Sequence, residues 1–96
     1  MCGITGFILK KKTNNLDYFK KLTEMNKTVS HRGPDNIGTW FCEDQRVFIG
    51  HQRLSIFDLS SKGNQPMLSN DGRYVISFNG EIYNFRTLRQ YLEKKF

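Results

Sequence analysis

The sequence has little cysteine, little proline and no long apolar run, and each shortage excludes a class of protein. Its 96 residues contain two cysteines, Cys2 and Cys42. Forty residues apart, they have neither metal-ligand spacing nor the density of a disulfide framework, so a reducing compartment and no metal site are expected. Two prolines and an aromatic content of 14% are far from the composition of a disordered or low-complexity chain. No apolar stretch approaches the roughly 20 residues of a membrane span. The N-terminal MCGITGFILKKK places its charges after a very short apolar segment, the reverse of a secretory signal. These features predict a cytoplasmic protein with no membrane partner. The length suits one small domain with a modest core.

Acidic residues are also in the minority, and the net charge is +6. The basic residues are scattered in short groups, Lys10 to Lys12, Lys20 with Lys21 and Lys94 with Lys95. None is interleaved with aromatics in the manner of an RNA-binding motif. Solvated surfaces and protected strand edges account for them better than nucleic acid does.

What is present reads as alternating strands and helices. Residues 3–9 (GITGFIL) form a strand apolar enough for burial on both faces. Asn14 or Asn15 caps a helix over 16–29, with Phe19, Leu22, Met25 and Val29 on one buried face. A tight loop at Arg32 to Asp35 precedes strands over 38–42 and 46–56, joined as a hairpin through Glu43, Asp44 and Gln45. Residues 58–72 read as an irregular loop ending in an Asp71-Gly72 turn. A buried strand over 74–78 follows, and then a helix over 85–95 capped by Asn84, with Leu88 and Leu92 turned inward. The order predicts an α+β domain with two helices on a mostly antiparallel sheet. A chain ending on Phe96 directly after a helix reads as part of something longer.

Three places carry residues suited to chemistry. Removal of Met1 by an aminopeptidase that tolerates a small second residue leaves Cys2 with a thiol and a free α-amine. An α-amine of pKa about 7.7–8.0 is partly neutral at pH 7 and accepts the thiol proton, a nucleophile with its own base. Taken alone, position 2 reads more readily as a small, tolerated residue. Arg53, in Gly-His-Gln-Arg-Leu-Ser at 50–55, offers a planar fork matched to a carboxylate. Taken alone, it suits a solvated strand arginine better. Asn79 and Gly80 offer a side-chain amide and an unobstructed backbone N–H toward one oxyanion, although a simple Asn-Gly turn is by itself far more frequent.

Met-Cys-Gly-Ile with Gly6-Phe7, His-Arg-Gly-Pro-Asp at 31–35, Gly-His-Gln-Arg-Leu-Ser-Ile at 50–56, Gly-Asn-Gln-Pro-Met at 63–67 and Phe-Asn-Gly-Glu-Ile-Tyr-Asn at 78–84 together resemble class II glutamine amidotransferases. The strongest likeness is to the glutaminase domain of glutamine-hydrolysing asparagine synthetases. The resemblance implies an N-terminal-nucleophile hydrolase, an αββα sandwich of which residues 2–96 hold the first part. It implies that Cys2 attacks the carboxamide of glutamine with its α-amine as base, and that Asn79 and Gly80 form the oxyanion hole. Arg53 holds the substrate's α-carboxylate, Glu81 lies against the bound glutamine, and Arg32 fixes the nucleophile's end of the chain. Leu54 to Phe57 add backbone contacts to substrate. His31 and His51 are structural in this scheme, and Cys42 is a half-buried strand residue.

The family's aspartate for the substrate's α-amine, its remaining strands and its ATP-binding synthetase domain fall beyond Phe96. The implied partners are glutamine and the synthetase domain of the same parent chain. The glutaminase step needs no cofactor, while ATP and Mg²⁺ belong to that synthetase domain. The acceptor is aspartate or a sugar carboxylate. An exposed sheet edge and some self-association are expected. A non-catalytic homologue serving as a regulatory or interaction module is the competing reading, and a basic nucleic-acid-binding domain ranks last.

Overall fold

A computed structural model describes residues 1–12, 16–56 and 59–96. Among these, strand β1 (Gly3–Ile8) leads to helix α1 (Leu16–Thr28), then to β2 (Asn36–Phe41) and β3 (Val47–Arg53). A short ribbon, β4 (Met67–Leu68) and β5 (Val75–Ile76), precedes helix α2 (Phe85–Lys95). The α+β class with two helices and antiparallel strands is therefore observed. The expected caps Asn14 and Asn15 lie outside the described residues, as does Phe57.

The main sheet has the order β1-β3-β2, with β3 antiparallel to both neighbours. The register sets Phe7 and Phe41 opposite Phe48, and Ile4 and Gly38 opposite His51. Opposed residues share a face, so the even-numbered residues of β3 point one way and the odd-numbered ones the other. The even face receives α1. Phe48 is 2% exposed and stacks on Phe7 at 4.7 Å and on Phe41 at 5.9 Å between ring centroids. Tyr18 tilts onto the same ring from α1 at 6.3 Å, and Phe19 meets Phe41 edge-on.

From α1, Leu22 and Asn26 are the fully buried pair, one turn apart. Asn26 is the polar residue that α1 buries in this contact, and it is held on several sides. Its Nδ2 donates to the Gly38 carbonyl at 3.2 Å and to the His51 carbonyl at 3.5 Å. Its own carbonyl accepts from Gln52 Nε2 at 3.0 Å. Helix and sheet are thus stitched together where β2 and β3 run side by side, and the donors are satisfied as burial requires.

The odd face of the sheet carries Ile49, His51 and Arg53, and is partly covered by the loop and ribbon that follow β3. Gly38 lets that loop approach: a Cβ there would collide with the Gln65 carbonyl. Ser77 lines the same groove as Ile4, Ile8 and Ile49.

Several expectations need correction. The strand over 3–9 is not buried on both faces, because Ile4 and Ile8 are 44% and 74% exposed. β1 lies at the sheet edge, and the ribbon is too short to cover it. β2 is the other edge, so both outer strands present unpaired backbone. Phe19 is half-exposed at 41%, and Asn26 replaces Met25 at the centre of the helix contact. The strand over 74–78 contracts to Val75–Ile76 with Ile76 exposed, since β4, its one strand partner among the described residues, offers two residues. That β4 strand forms inside the stretch read as irregular loop. The expected turn at Asp71-Gly72 closes this ribbon, with Gly72 at φ 72. Asn84 makes no side-chain cap bond, and α2 is exposed along its whole length, Leu88 and Leu92 included. Finally, Cys42 does more than fill a half-buried position. Its Sγ accepts from the Arg46 and Val47 amides at 3.2 and 3.1 Å and donates to Asp44 Oδ1 at 2.7 Å. It therefore organises the β2–β3 hairpin, whose Gln45 takes a positive φ of 54. No helix among the described residues is long and apolar enough to cross a membrane.

Phe48 is the joint of this small core. Phe48→Ala is expected to lower stability by about 3–5 kcal/mol, read as a fall in the urea midpoint. Ile8→Ala, on the uncovered face, is expected to stay within about 0.5 kcal/mol of the parent.

Candidate active site

Because β3 alternates faces, His51 and Arg53 emerge together on the side away from α1, at the strand's C-terminal end. Antiparallel pairing places the start of β1 beside that end, with Gly3 opposite Gln52. Cys2 therefore arrives next to Leu54 as a consequence of register. The Leu54 amide donates to Cys2 Sγ at 3.3 Å, and the thiol faces the Leu54 carbonyl at 3.8 Å. Arg32, in a single 3-10 turn over Ser30–Arg32, donates from Nε to the Cys2 carbonyl at 3.0 Å. Met1 is 59% exposed, and its peptide bond occupies the Cys2 nitrogen as long as it is present.

Arg53 is 6% exposed. Its Nη1 donates to the Ser60 carbonyl at 2.6 Å and to Asn64 Oδ1 at 2.8 Å. Gly63 makes room for the other arm of the guanidinium, since a Cβ there would collide with Nη2. A cavity of about 430 Å³ opens beside this group, lined by Asp35, Ser55, Ser60, Ser61 and Asn64 among others. Asp35 shapes its wall, accepting from the Ser55 amide at 2.8 Å while its own amide donates to the Arg53 carbonyl at 2.9 Å. A buried guanidinium with fixed orientation beside a polar cavity is suited to binding a carboxylate.

Asn79 and Gly80 follow β5, and the structure does not join them to the thiol: Cys2 makes no hydrogen bond to either residue. Gly80 and Glu81 instead line a separate cleft of about 550 Å³ with Phe78, Phe85, Arg86 and Arg89. Cys2, Arg32 and Arg53 are thus gathered at one strand end, while Gly80 and Glu81 line a different cleft. Among the described residues no group of His, Cys, Asp and Glu side chains is arranged to hold a metal.

Sequence reasoning gave Gln65 no role and read His51 as a structural, hydrogen-bonding residue. His51, read only as a structural strand residue, is fully buried and its Nε2 lies 3.3 Å from the Phe78 carbonyl. A carbonyl only accepts, so the proton is assigned to Nε2, leaving Nδ1 buried without a hydrogen-bond partner. Gln65 Oε1 accepts from the Phe78 amide at 2.5 Å. Neither role has a spacing signal, because each is a side-chain bond to backbone far away in sequence. His31 is exposed in the 3-10 turn.

Burial holds the His51 pKa below its ordinary 6.5; the Phe78 carbonyl opposes the shift and the Arg53 charge adds to it.

The chain matches the glutamine amidotransferase domain family over residues 1–96 and belongs to it. It is 42% identical over 96 residues to the glutamine-hydrolysing asparagine synthetase 1 of Bacillus subtilis, covering 99% of this chain and 15% of that one. It is 37% identical over 89 residues to asparagine synthetase B of Escherichia coli, covering 93% and 15%. To the amidase chry2 of Gibberella zeae it is 36% identical over 104 residues, covering 100% and 16%. The chain therefore spans about 15% of the length of these synthetases. No solved structure matches it significantly.

The His51 shift has a definite sign in stability. As pH falls below 6.5 the unfolded chain takes up a proton that folded His51 refuses, so stability decreases until the lowered folded pKa is reached, and it is fully present above 6.5. Urea titrations between neutral and acidic pH are expected to show this loss in the native chain and a smaller one in His51→Gln.

Proposed function

We propose that this chain is the front part of a glutaminase site in which Cys2, freed of Met1, hydrolyses glutamine to glutamate and ammonia. The observation that carries the reading is the 3.3 Å contact between Cys2 Sγ and the amide of Leu54. It sets the thiol one residue along the chain from the buried Arg53, so nucleophile and carboxylate clamp share a strand end.

Arg53 binds the α-carboxylate of glutamine and so directs the carboxamide toward Cys2. The Cys2 thiol gives its proton to its own α-amine, and the sulfur attacks the carboxamide carbon. The resulting oxyanion is stabilised by Asn79 Nδ2 and the Gly80 N–H once substrate draws that segment toward Cys2. The α-ammonium returns the proton to the departing nitrogen, the C–N bond breaks and ammonia leaves. Water then attacks the thioester carbon with the amine again as base, releasing glutamate and restoring the thiol. Glu81 contacts the bound glutamine, and Arg32 keeps the Cys2 carbonyl, and hence the amine, in place.

In the parent protein the ammonia passes to a carboxylate, aspartate in this reading, activated by ATP with Mg²⁺ in a synthetase domain. The work is cytoplasmic. The acceptor chemistry lies with residues outside this chain, so the present site is defined by the donor half alone.

Treatment with a diazoketone analogue of glutamine, followed by intact-mass and peptide analysis, tests the reading. The expected result is loss of the Met1 mass together with one modification at Cys2, abolished in Cys2→Ala and slowed about 100-fold in Asn79→Ala. Retained Met1 with modification only at Cys42 contradicts it. The 96-residue chain is also expected to turn over glutamine far more slowly than a complete domain, and equal rates by ammonia release would contradict that.

A further inference from the structure

The segment that carries Asn79 and Gly80 leaves β5 at Ile76, so no neighbouring strand fixes its direction. Yet Phe78, the residue before Asn79, has both backbone groups engaged. Its N–H donates to Gln65 Oε1 at 2.5 Å, and its carbonyl accepts from His51 Nε2 at 3.3 Å. The two partners come from different elements, the β3–β4 loop and the centre of the main sheet. Gripping the N–H and C=O of one residue from two sides defines the course of the peptide that follows it. The Phe78 ring adds a third restraint, since a Cβ on Gly80 would lie 2.8 Å from its Cζ.

Both grips also reach the carboxylate clamp. Gln65 adjoins Asn64, whose Oδ1 accepts from Arg53 Nη1 at 2.8 Å. His51 lies two residues before Arg53 on the same face of β3. The loop bearing Asn64 and Gln65 is seated on β2, where Gly38 lacks the side chain that would displace the Gln65 carbonyl. One rigid strand and one seated loop therefore hold both the arginine and the approach to Asn79.

We infer that Gln65 and His51 are positioning residues for the oxyanion donors, anchoring the Phe78 backbone beside Arg53 so that the Asn79 amide and the Gly80 N–H turn from one fixed point when substrate draws them toward Cys2. The inference rests on the reading of Asn79 and Gly80 given above. Neither residue touches substrate. Each acts through the backbone, so a side chain that keeps the same hydrogen-bonding atom keeps the function.

The test compares Gln65→Leu and His51→Leu with Gln65→Glu and His51→Gln, which retain an acceptor or a donor at the same reach. In the leucine variants the maximal rate of Cys2 modification by the diazoketone glutamine analogue is expected to fall about tenfold, the effect of losing one hydrogen bond of this kind. The concentration giving half that rate should stay unchanged, because Arg53 still binds the carboxylate. Modification of Cys2 by iodoacetamide, which needs no oxyanion donors, should not change. The glutamate and glutamine variants are expected to return most of the lost rate. Amide exchange at Phe78 is measured alongside and should quicken in the leucine variants and recover in the conservative ones.

Leucine variants that match the native chain in both readouts overturn the inference. So do conservative variants that fall as far as the leucine ones, since packing alone would then explain the effect. If the native chain is not modified at Cys2 at all, the glutaminase reading fails, and Phe78 exchange still decides whether the backbone clamp exists.

Discussion

Pairing of β3 between β1 and β2 is the constraint on which the rest of the structure depends. A strand with partners on both sides has no freedom of register, and its alternation assigns every second residue to one face. The even residues, Phe48, Gly50 and Gln52, meet α1, and the odd residues, His51 and Arg53, meet the loop and ribbon beyond. A slip of one residue would send Phe48 into the site and Arg53 under the helix. The aromatic stack of Phe7, Phe48 and Phe41 opposes such a slip, because it exists in one register only.

The same pairing explains how a residue at the chain's start comes to lie beside residue 54. Gly3 opposite Gln52 leaves Cys2 level with Arg53, and its Sγ reaches the next amide, that of Leu54. If Cys2 is the nucleophile proposed above, with a free terminus, it needs an anchor that does not use that terminus. The Cys2 carbonyl supplies one, through Arg32 Nε. On the other side of the site, the Arg53 guanidinium is buried at the cost of desolvation, which its bonds to Ser60 and Asn64 offset. The charge is thereby kept in a set orientation, and the carboxylate clamp proposed above would lose little conformational entropy on binding.

Much of this was legible in the sequence. The helix beginning at Leu16, the hairpin around Asp44 and the helix over Phe85–Lys95 follow from period and turn residues. The motif order that marks the family spans residues 2–84, and the family match covers the whole chain. Burial was less legible. Periodicity showed which residues share a face, but not whether anything covers that face. Leu88 and Leu92 stand on the apolar side of α2 and are exposed, as are Ile4 and Ile8 on the outer side of β1. The importance of Asn26 was hidden as well, since a polar residue in a helix reads as solvated until the Gly38 and His51 carbonyls are seen beside it. The role of Gln65 and the partner of His51 escaped notice for a related reason: both bond the backbone of Phe78, and backbone has no sequence signature.

The central claim is that Cys2 and Arg53 form the two ends of one glutamine site at the close of β3, completed by Asn79 and Gly80. A crystal structure of the chain lacking Met1, soaked with glutamate, tests it most directly. The α-carboxylate is expected on the Arg53 guanidinium, with the side-chain carboxylate beside Cys2 Sγ and turned toward Asn79 Nδ2 and the Gly80 N–H. Glutamate bound away from Arg53, or bound there with its side chain directed away from Cys2, would contradict it.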